Sequence, residues 1–447
     1  MEETPFPIKI IFPENGDTKQ FQTTKAEWLG DIVLPGKSET AIEIPVIYGS
    51  KICKKPEAKN AMLPEWNQYA EQIPTVNFRN ESERSAYYKA WSILYFNEVK
   101  RNNKQWVMTG TGFGSMWIWD TSPFIINAYL KIKADWAREM VKQQLLSIRS
   151  DGFMPLHALT AEYIDSEPPN SITQIPLVPD SVLTLFLQNN DKEFIEWTYP
   201  LLVKHYGWFE RRRKPLEELP LWIVDDYRKP YFSGAESGMD NSPIYQGRPI
   251  YSVAQNAAKV SFEHAMHKLA LTLSKPDDAL IWLKRKEATV EAIESRMWSE
   301  KEGFYFPLTL ELEQIGIKTS DVFPALFFDF CKPLRIKQVI QCLQDEFLTE
   351  YGLTTVSRNE KVYISGNYFQ GAVWPCMNYL AYRGMKIHGF NDLAEKILQG
   401  TVKTTISFPS IYECYDAERK TTGYYNGPVL PFMSFCAASL INMFLER

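Results

Sequence analysis

The sequence predicts a mainly α protein built from stacked helix hairpins. Three observations lead there. From about residue 80 to the C-terminus, apolar residues recur at helical spacing in one segment after another. Strand signals are frequent before about residue 75 and sparse after it. Four short strings, SDGFMP (151–156 region), KEGFYF (301–306 region), EYGLTT (350–355 region) and TTGYYN (421–426 region), each follow a helical stretch with a glycine and then a large apolar residue. Such a glycine reads as a helix C-cap, and the apolar residue turns the chain back into the core. Repeated units of this kind stack as hairpins. Closed into a ring they make an α/α toroid whose inner helices line a central pit. Unclosed, they make an irregular helical bundle.

Residues 1–75 are expected to form an N-terminal extension, partly β, packed on the main body. IKIIF, DIVLP and AIEIPVIYG are short, β-branched and bounded by Gly, Pro or charge. Residues 76–447 form the helical body. SERSAYYKAWSILYFNEVKRN opens on a Ser cap signal. Further helices are predicted over 122–149, 179–190, 192–213, 251–274, 277–299, 332–347, 367–385, 390–406 and 429–446.

The chain has 447 residues, 45% of them hydrophobic, which is enough to bury a large core. It carries 13 Trp, 23 Tyr and 26 Phe. Trp is seldom fully buried and needs a partner for its N–H, so a core does not call for so many. The surplus suits a cleft that stacks on sugar rings, or simply a large helical protein rich in aromatics. Net charge is −5 and the densest basic run, Arg211-Arg212-Arg213-Lys214, reads as a solvated helix end, so no nucleic-acid surface is expected. Six cysteines lie scattered without a Cys-x-x-Cys pair and five His show no ligand spacing, so no zinc site is expected. The N-terminus shows no basic, then apolar leader and no membrane span. A cytoplasmic setting with free thiols is the expectation, and homo-oligomerisation is left open.

Five stretches can carry chemistry. In YFSGAESGMDNSP (231–243), Gly238 permits a tight turn, Asn241 and Ser242 offer local hydrogen bonds and Pro243 stiffens the exit. That turn would present Asp240 to a substrate, with an ordinary helix cap as the plainer alternative. GTGFGSMWIWDTSPF (110–124) ends in Trp117, Trp119 and Asp120 and has no Lys-Ser/Thr after its glycines, so it is not a phosphate loop. Indole faces pack on sugars and a carboxylate accepts from vicinal hydroxyls; core filling and a cap are the competing roles. Gln174 in SITQIP precedes another helix and could both donate to and accept from a hydroxyl, or serve a turn. In NYFQGAVWP, Tyr368 and Trp374 stand at the mouth of a helix. IYECYDAERKTTGYYNGP sets Glu413 among phenols that can orient a carboxylate as a base toward water.

Taken together, these strings resemble glycoside hydrolase family 63, in its mannosylglycerate/glucosylglycerate hydrolase branch, with trehalases of family 37 as more distant relatives. The resemblance rests on Trp119-Asp120-Thr121, Asp151-Gly152-Phe153-Met154-Pro155, Thr173-Gln174-x-Pro176, Glu236-Ser-Gly-Met-Asp240-Asn-Ser-Pro243, Asn367-Tyr368-x-x-Gly371-x-Val373-Trp374-Pro375 and Tyr412-Glu413-x-Tyr415-Asp416, in that order. It covers about residues 80–445. It implies an (α/α)6 barrel and an inverting glycosidase with Asp240 as general acid and Glu413 as general base, a chemistry for which no metal or organic cofactor is expected. It also implies sugar contacts from Trp117, Trp119, Asp120, Gln174, Glu236, Gly238, Asn241, Tyr368, Gln370 and Trp374. The partner would be a small oligosaccharide or glycoside. Where the family reads Tyr-Trp-Arg-Gly-Pro-Val-Trp, this chain has Tyr368-Phe369-Gln370-Gly371-Ala372-Val373-Trp374. A neutral Gln in place of a forked cation bears on which aglycone is accepted. The first expectation is therefore hydrolysis of a short α-linked glycoside, an α-glucoside foremost. A non-catalytic carbohydrate-binding or regulatory protein on the same barrel is the alternative. A phosphorylase would not need Glu413, and an epimerase would call for a His that no matched motif supplies.

Overall fold

A computed structural model describes residues 64–101, 103–110, 113–158, 172–225, 235–245 and 247–447, together with the backbone of Ile47–Tyr48 and Lys51–Ile52. That backbone forms an antiparallel strand pair, its first strand inside the predicted AIEIPVIYG region and its second just beyond it. IKIIF and DIVLP lie outside the described residues.

The helices in chain order are α1 (Pro64–Ala70), α2 (Glu81–Phe96), α3 (Ile126–Tyr129), α4 (Ala134–Leu146), α5 (Val178–Asn189), α6 (Lys192–Arg212) and α7 (Val253–Thr272). There follow α8 (Pro276–Arg296), α9 (Phe323–Phe328), α10 (Pro333–Cys342), α11 (Pro375–Ile387), α12 (Asn391–Ser407) and α13 (Ser434–Leu445). A wide helical turn over Asp120–Ile125 leads directly into α3. Together with that turn, α3 packs on α5, α5 on α7, α7 on α9, α9 on α11 and α11 on α13, and α13 returns to the turn and α3. Six inner helices thus close a ring. Outside it, α2, α4, α6, α8 and α12 each pack on an inner neighbour, and α10 takes the outer place in its hairpin, against strand Phe304–Tyr305. This is an (α/α)6 barrel.

Composition explains which helix goes inside. α13, SFCAASLINMFL, is small or apolar all round and is buried from Ser434 to Phe444. A helix with no polar face has to be enclosed. α8 instead buries only a stripe that includes Trp282, Ala292 and Ile293, and turns most of its Lys, Arg and Glu outward, the buried Glu294 being paired with Arg335. Side chains start several helices: Asn80 accepts from the Glu83 N–H, Asp191 from the Phe194 N–H and Ser252 from the Gln255 N–H. The ring is pinned where its ends meet. Arg447 donates to the buried Glu83 of α2 and to Glu395 of α12.

Several boundaries differ from expectation. The predicted 122–149 helix is broken at 130–133 into α3 and α4. The predicted 367–385 helix starts only at Pro375, because Asn367–Trp374 forms a loop with a single short turn over Tyr368–Gln370. The C-terminal helix starts at Ser434, not 429. α9, six residues long, is too short to show a period and escapes sequence reading. The repeated glycines are not helix C-caps. Two-stranded hairpins follow the helices: Gly303 (φ 59°) lies at the turn of Trp298–Ser299 with Phe304–Tyr305, and Gly352 (φ 121°) opens the second strand of Leu348–Thr349 with Gly352–Leu353. The chain reverses through these hairpins, so the left-handed residue falls there.

Five of the six motifs lie ahead of an inner helix: 117–120 before α3, 173–176 before α5, 236–243 before α7, 367–374 before α11 and 411–416 before α13; the sixth, 151–155, follows α4. In a ring of hairpins the inner helices run the same way, so these loops meet at one end of the barrel. That end also carries the positive ends of the helix dipoles, which favour negative groups.

Candidate active site

Three carboxyls from three of these loops come together: Asp120, Asp240 and Glu413. Glu413 and Asp120 are buried, and Asp240 is half-buried. Burial pushes Asp120 well above the ordinary carboxylate range, and the nearby Glu413 and Asp240 push it further, while a hydrogen bond from the Thr109 hydroxyl opposes them. Burial raises Asp240 to about 6, opposed by a bond from its own N–H. Burial raises Glu413 to about 7; the Leu430 N–H and the Tyr368 hydroxyl oppose that rise, and Asp240 adds to it. Like charges crowded out of water cannot all ionise, so near neutrality the group retains protons. Those protons belong to the cluster as a whole.

Glu413 is held by two donors. The Tyr368 hydroxyl donates to Oε1 at 3.2 Å and the Leu430 N–H to Oε2 at 3.4 Å. Its main-chain carbonyl accepts from the Cys436 thiol at 3.4 Å. Tyr368 is itself boxed in. Its ring stacks on Tyr425 (4.6 Å, 15°) and meets Trp374 edge-on (4.5 Å, 73°). The Trp374 indole N–H donates to the Tyr368 carbonyl at 3.0 Å, and Trp374 stacks on Phe369 (4.3 Å, 24°).

Asp240 sits on a turn that Gly238 makes possible. At φ 74° Gly238 lies in the left-handed region, and a Cβ there would come within 2.9 Å of the Trp119 ring. Trp119 therefore lies flush against the turn that carries Asp240, and only glycine permits that approach.

Other residues expected to meet sugar are occupied by protein. Glu236 is buried, and both its oxygens accept from Arg213, at 2.6 Å from Nε and 2.8 Å from Nη2. The Gln174 side chain accepts from the Trp119 N–H at 2.9 Å and donates to the Ala235 carbonyl at 3.4 Å. Asn241 bonds to Asn367 and to the Phe369 N–H. Gln370 uses its main chain to bond Asn367 and Ile364, and its side chain is half-buried. Trp117 is half-buried beside Phe113, and its indole N–H is enclosed without a partner among the described residues.

Sequence reading misses four contributors. Arg213 reads as part of a solvated helix end, yet it clamps Glu236 on the loop that carries Asp240. A buried Glu inside a motif calls for a cation, and that signal could have singled it out. Asp321, ahead of α9, accepts from the Ser252 hydroxyl (2.6 Å) and from the Val253 (2.7 Å) and Ala254 (3.3 Å) N–H groups, and so seats the start of α7. Thr109 and the Leu430 N–H carry no sequence mark of their roles.

Among the described residues no group of His, Cys, Asp or Glu is arranged to hold a metal, and no helix is long and apolar enough to cross a membrane. Cys331, Cys342, Cys376, Cys414 and Cys436 are free thiols. A surface groove of about 600 Å³ lies elsewhere, beside α2 and α12, and holds none of the motif residues. Its Lys403 is paired with Glu350, and its Glu395 with Arg79 and Arg447.

The model of the mannosylglycerate hydrolase MGH1-like glycoside hydrolase domain matches residues 114–428. The chain belongs to this glycoside hydrolase family. The match takes in every motif ahead of an inner helix. A mannosylglycerate hydrolase from Thermus thermophilus is 24% identical over 388 residues, covering 67% of this chain and 89% of that protein. A mannosyl-oligosaccharide glucosidase from Saccharomyces cerevisiae is 24% identical over 224 residues, covering 44% of this chain and only 27% of that protein. The crystal structure of a family 63 mannosylglycerate hydrolase, also from Thermus thermophilus, superposes with a TM-score of 0.66 at 21% identity, over 81% of this chain and all of that one. A likeness at that identity speaks to the fold, and the fold it gives is the one described above.

Proposed function

We propose that this enzyme hydrolyses a short α-linked glycoside, an α-glucoside foremost, with inversion, using Asp240 as general acid and Glu413 as general base. The observation that carries this reading is the meeting of Asp240, ahead of α7, with Glu413, ahead of α13, in one desolvated site that raises the values of both. An acid that must donate near pH 7 needs such a raised value.

In this mechanism the proton on Asp240 passes to the glycosidic oxygen as the bond from that oxygen to the anomeric carbon breaks. A water on the opposite face attacks the carbon and gives its proton to Glu413. Inverting pairs stand roughly 6.5–9.5 Å apart to admit that water. With a water seated against Glu413, the two donors on its oxygens favour the anion there, and Asp240 keeps the proton. Asp120 and the Trp119 ring lie beside the pair and suit a sugar bound by its hydroxyls and its apolar face. Gln174, Glu236 and Asn241 act in this reading as braces, because their polar atoms already have protein partners.

The substrate class rests on two supports: relatives that include a mannosylglycerate hydrolase and a mannosyl-oligosaccharide glucosidase, and the neutral Gln370 within the aromatic loop. The test is sugar release from trehalose, kojibiose, nigerose and the glycerate glycosides by wild type, Asp240→Asn and Glu413→Gln. Turnover of at least one substrate, lost by a factor of about 100 or more in each variant, is expected. Undiminished turnover in either variant would remove that residue from its role. Sugar binding without turnover throughout would leave a carbohydrate-binding protein.

A further inference from the structure

We propose that Asn241 is a positioning residue that sets the spacing between Asp240 and Glu413, acting through Tyr368. The inference rests on the acid and base roles proposed above.

Asn241 follows Asp240 in the chain, so anchoring its side chain anchors the peptide that carries the acid. The amide is used at both ends. Its oxygen accepts from the Phe369 N–H at 2.7 Å, and its nitrogen donates to the Asn367 side-chain oxygen at 2.8 Å. Asn367 and Phe369 are the two residues that flank Tyr368. The Tyr368 hydroxyl in turn donates to Glu413 at 3.2 Å. A hydrogen-bonded line therefore runs from the acid turn, across the aromatic loop, to the base.

The backbone at Tyr368 makes this brace necessary. Its φ of 28° is one that side-chain-bearing residues rarely adopt. Such a residue persists only where its surroundings over-determine it. One side is held by the Tyr425 ring, by the bond from the Tyr368 N–H to the Tyr424 carbonyl (3.1 Å) and by the Trp374 indole. Asn241 supplies the hold from the acid side. Its amide both donates and accepts at a short reach. Asp would keep the acceptor and lose the donor, and Ala would lose both. An inverting site depends on the gap between its carboxyls, and a misplacement of about 1 Å can cost on the order of 100-fold in rate.

The experiment is a double-mutant cycle of Asn241→Ala and Tyr368→Phe. It is assayed with α-glucosyl and α-mannosyl fluoride, beside a crystal structure of Asn241→Ala. Asn241→Asp serves as a second, milder variant. The expected result is a kcat about 10- to 100-fold lower in Asn241→Ala with KM changed less than about 3-fold. The double variant should be no slower than the slower single, because both act on one line. In the crystal structure the Tyr368 hydroxyl should leave hydrogen-bond distance of Glu413. Fold losses that multiply, or an unmoved Tyr368 hydroxyl, would overturn the proposal. A wild type inert on both fluorides would count against the glycosidase reading, while the crystal structure still decides whether Asn241 holds Tyr368.

Discussion

Replacing Glu413 with Gln is expected to make the unliganded protein more stable at alkaline pH, at the expense of its activity. Glu413 is 7% exposed, and its value rises from the ordinary 4.5 to about 7, mainly through burial. The sign follows from proton linkage. The folded state binds the proton more tightly than the unfolded chain does. The group's contribution is therefore complete below 4.5 and is lost as pH rises through about 7. A displacement of that size corresponds to about 3 kcal/mol between about pH 4 and about pH 8. Gln has no charge to develop. The stability of Glu413→Gln relative to wild type should thus rise by about 3 kcal/mol over that interval. Asp120, which the Glu413 charge also holds up, adds in the same direction. The changed hydrogen bonds to Tyr368 and Leu430 shift the variant at every pH and leave the pH-dependent difference to titration. The assay is urea unfolding of both proteins at several pH values. A stability gap that stays level from acid to alkali would refute the buried, proton-retaining carboxyl on which the proposed site depends.

Three further outcomes test neighbouring parts of the account. Gly238→Ala places a Cβ about 2.9 Å from the Trp119 ring at a φ of 74°. It should cost about 1–3 kcal/mol in urea unfolding and lower kcat/KM, because the turn carrying Asp240 has to shift. Arg213→Gln strands the buried Glu236 and should destabilise by about 3–5 kcal/mol in the same assay, most of it regained when Glu236→Gln is added. Tyr368→Phe removes a donor that favours the Glu413 anion. The acidic limb of the kcat/KM profile, which reports ionisation of the base, should then move to higher pH; a limb that stays put or moves to lower pH would separate Tyr368 from the base.

Much of the architecture is legible in the chain because inner and outer helices differ in composition. α13 is apolar or small on every side, whereas α8 has one apolar stripe, and that contrast alone sorts them. The six residues of α9 and the wide turn at Asp120 are too short or too irregular for any period to register. Two of the glycine echoes, at Gly303 and Gly352, mark strand hairpins, where a positive φ is needed as much as at a helix end, whereas Gly152 lies in no such hairpin and Gly423 follows strand Thr421–Thr422. In the site, the motifs locate the loops but not the direction of each side chain. Glu236 meets Arg213 from 23 residues away, Gln174 meets Trp119 from 55, and Asn241 meets Asn367 from 126. Those partners are chosen by the way the barrel closes. A sugar-binding role and a bracing role use the same amide or carboxylate, and only the partner tells them apart.

The most direct test of the central claim is proton NMR of the first sugar released from an α-linked glucoside or mannoside that the enzyme turns over. The account predicts the β-anomer first, relaxing to the equilibrium mixture, with neither anomer formed by Asp240→Asn or Glu413→Gln. Appearance of the α-anomer first would mean that configuration is retained, and would contradict the general-acid and general-base roles given to Asp240 and Glu413.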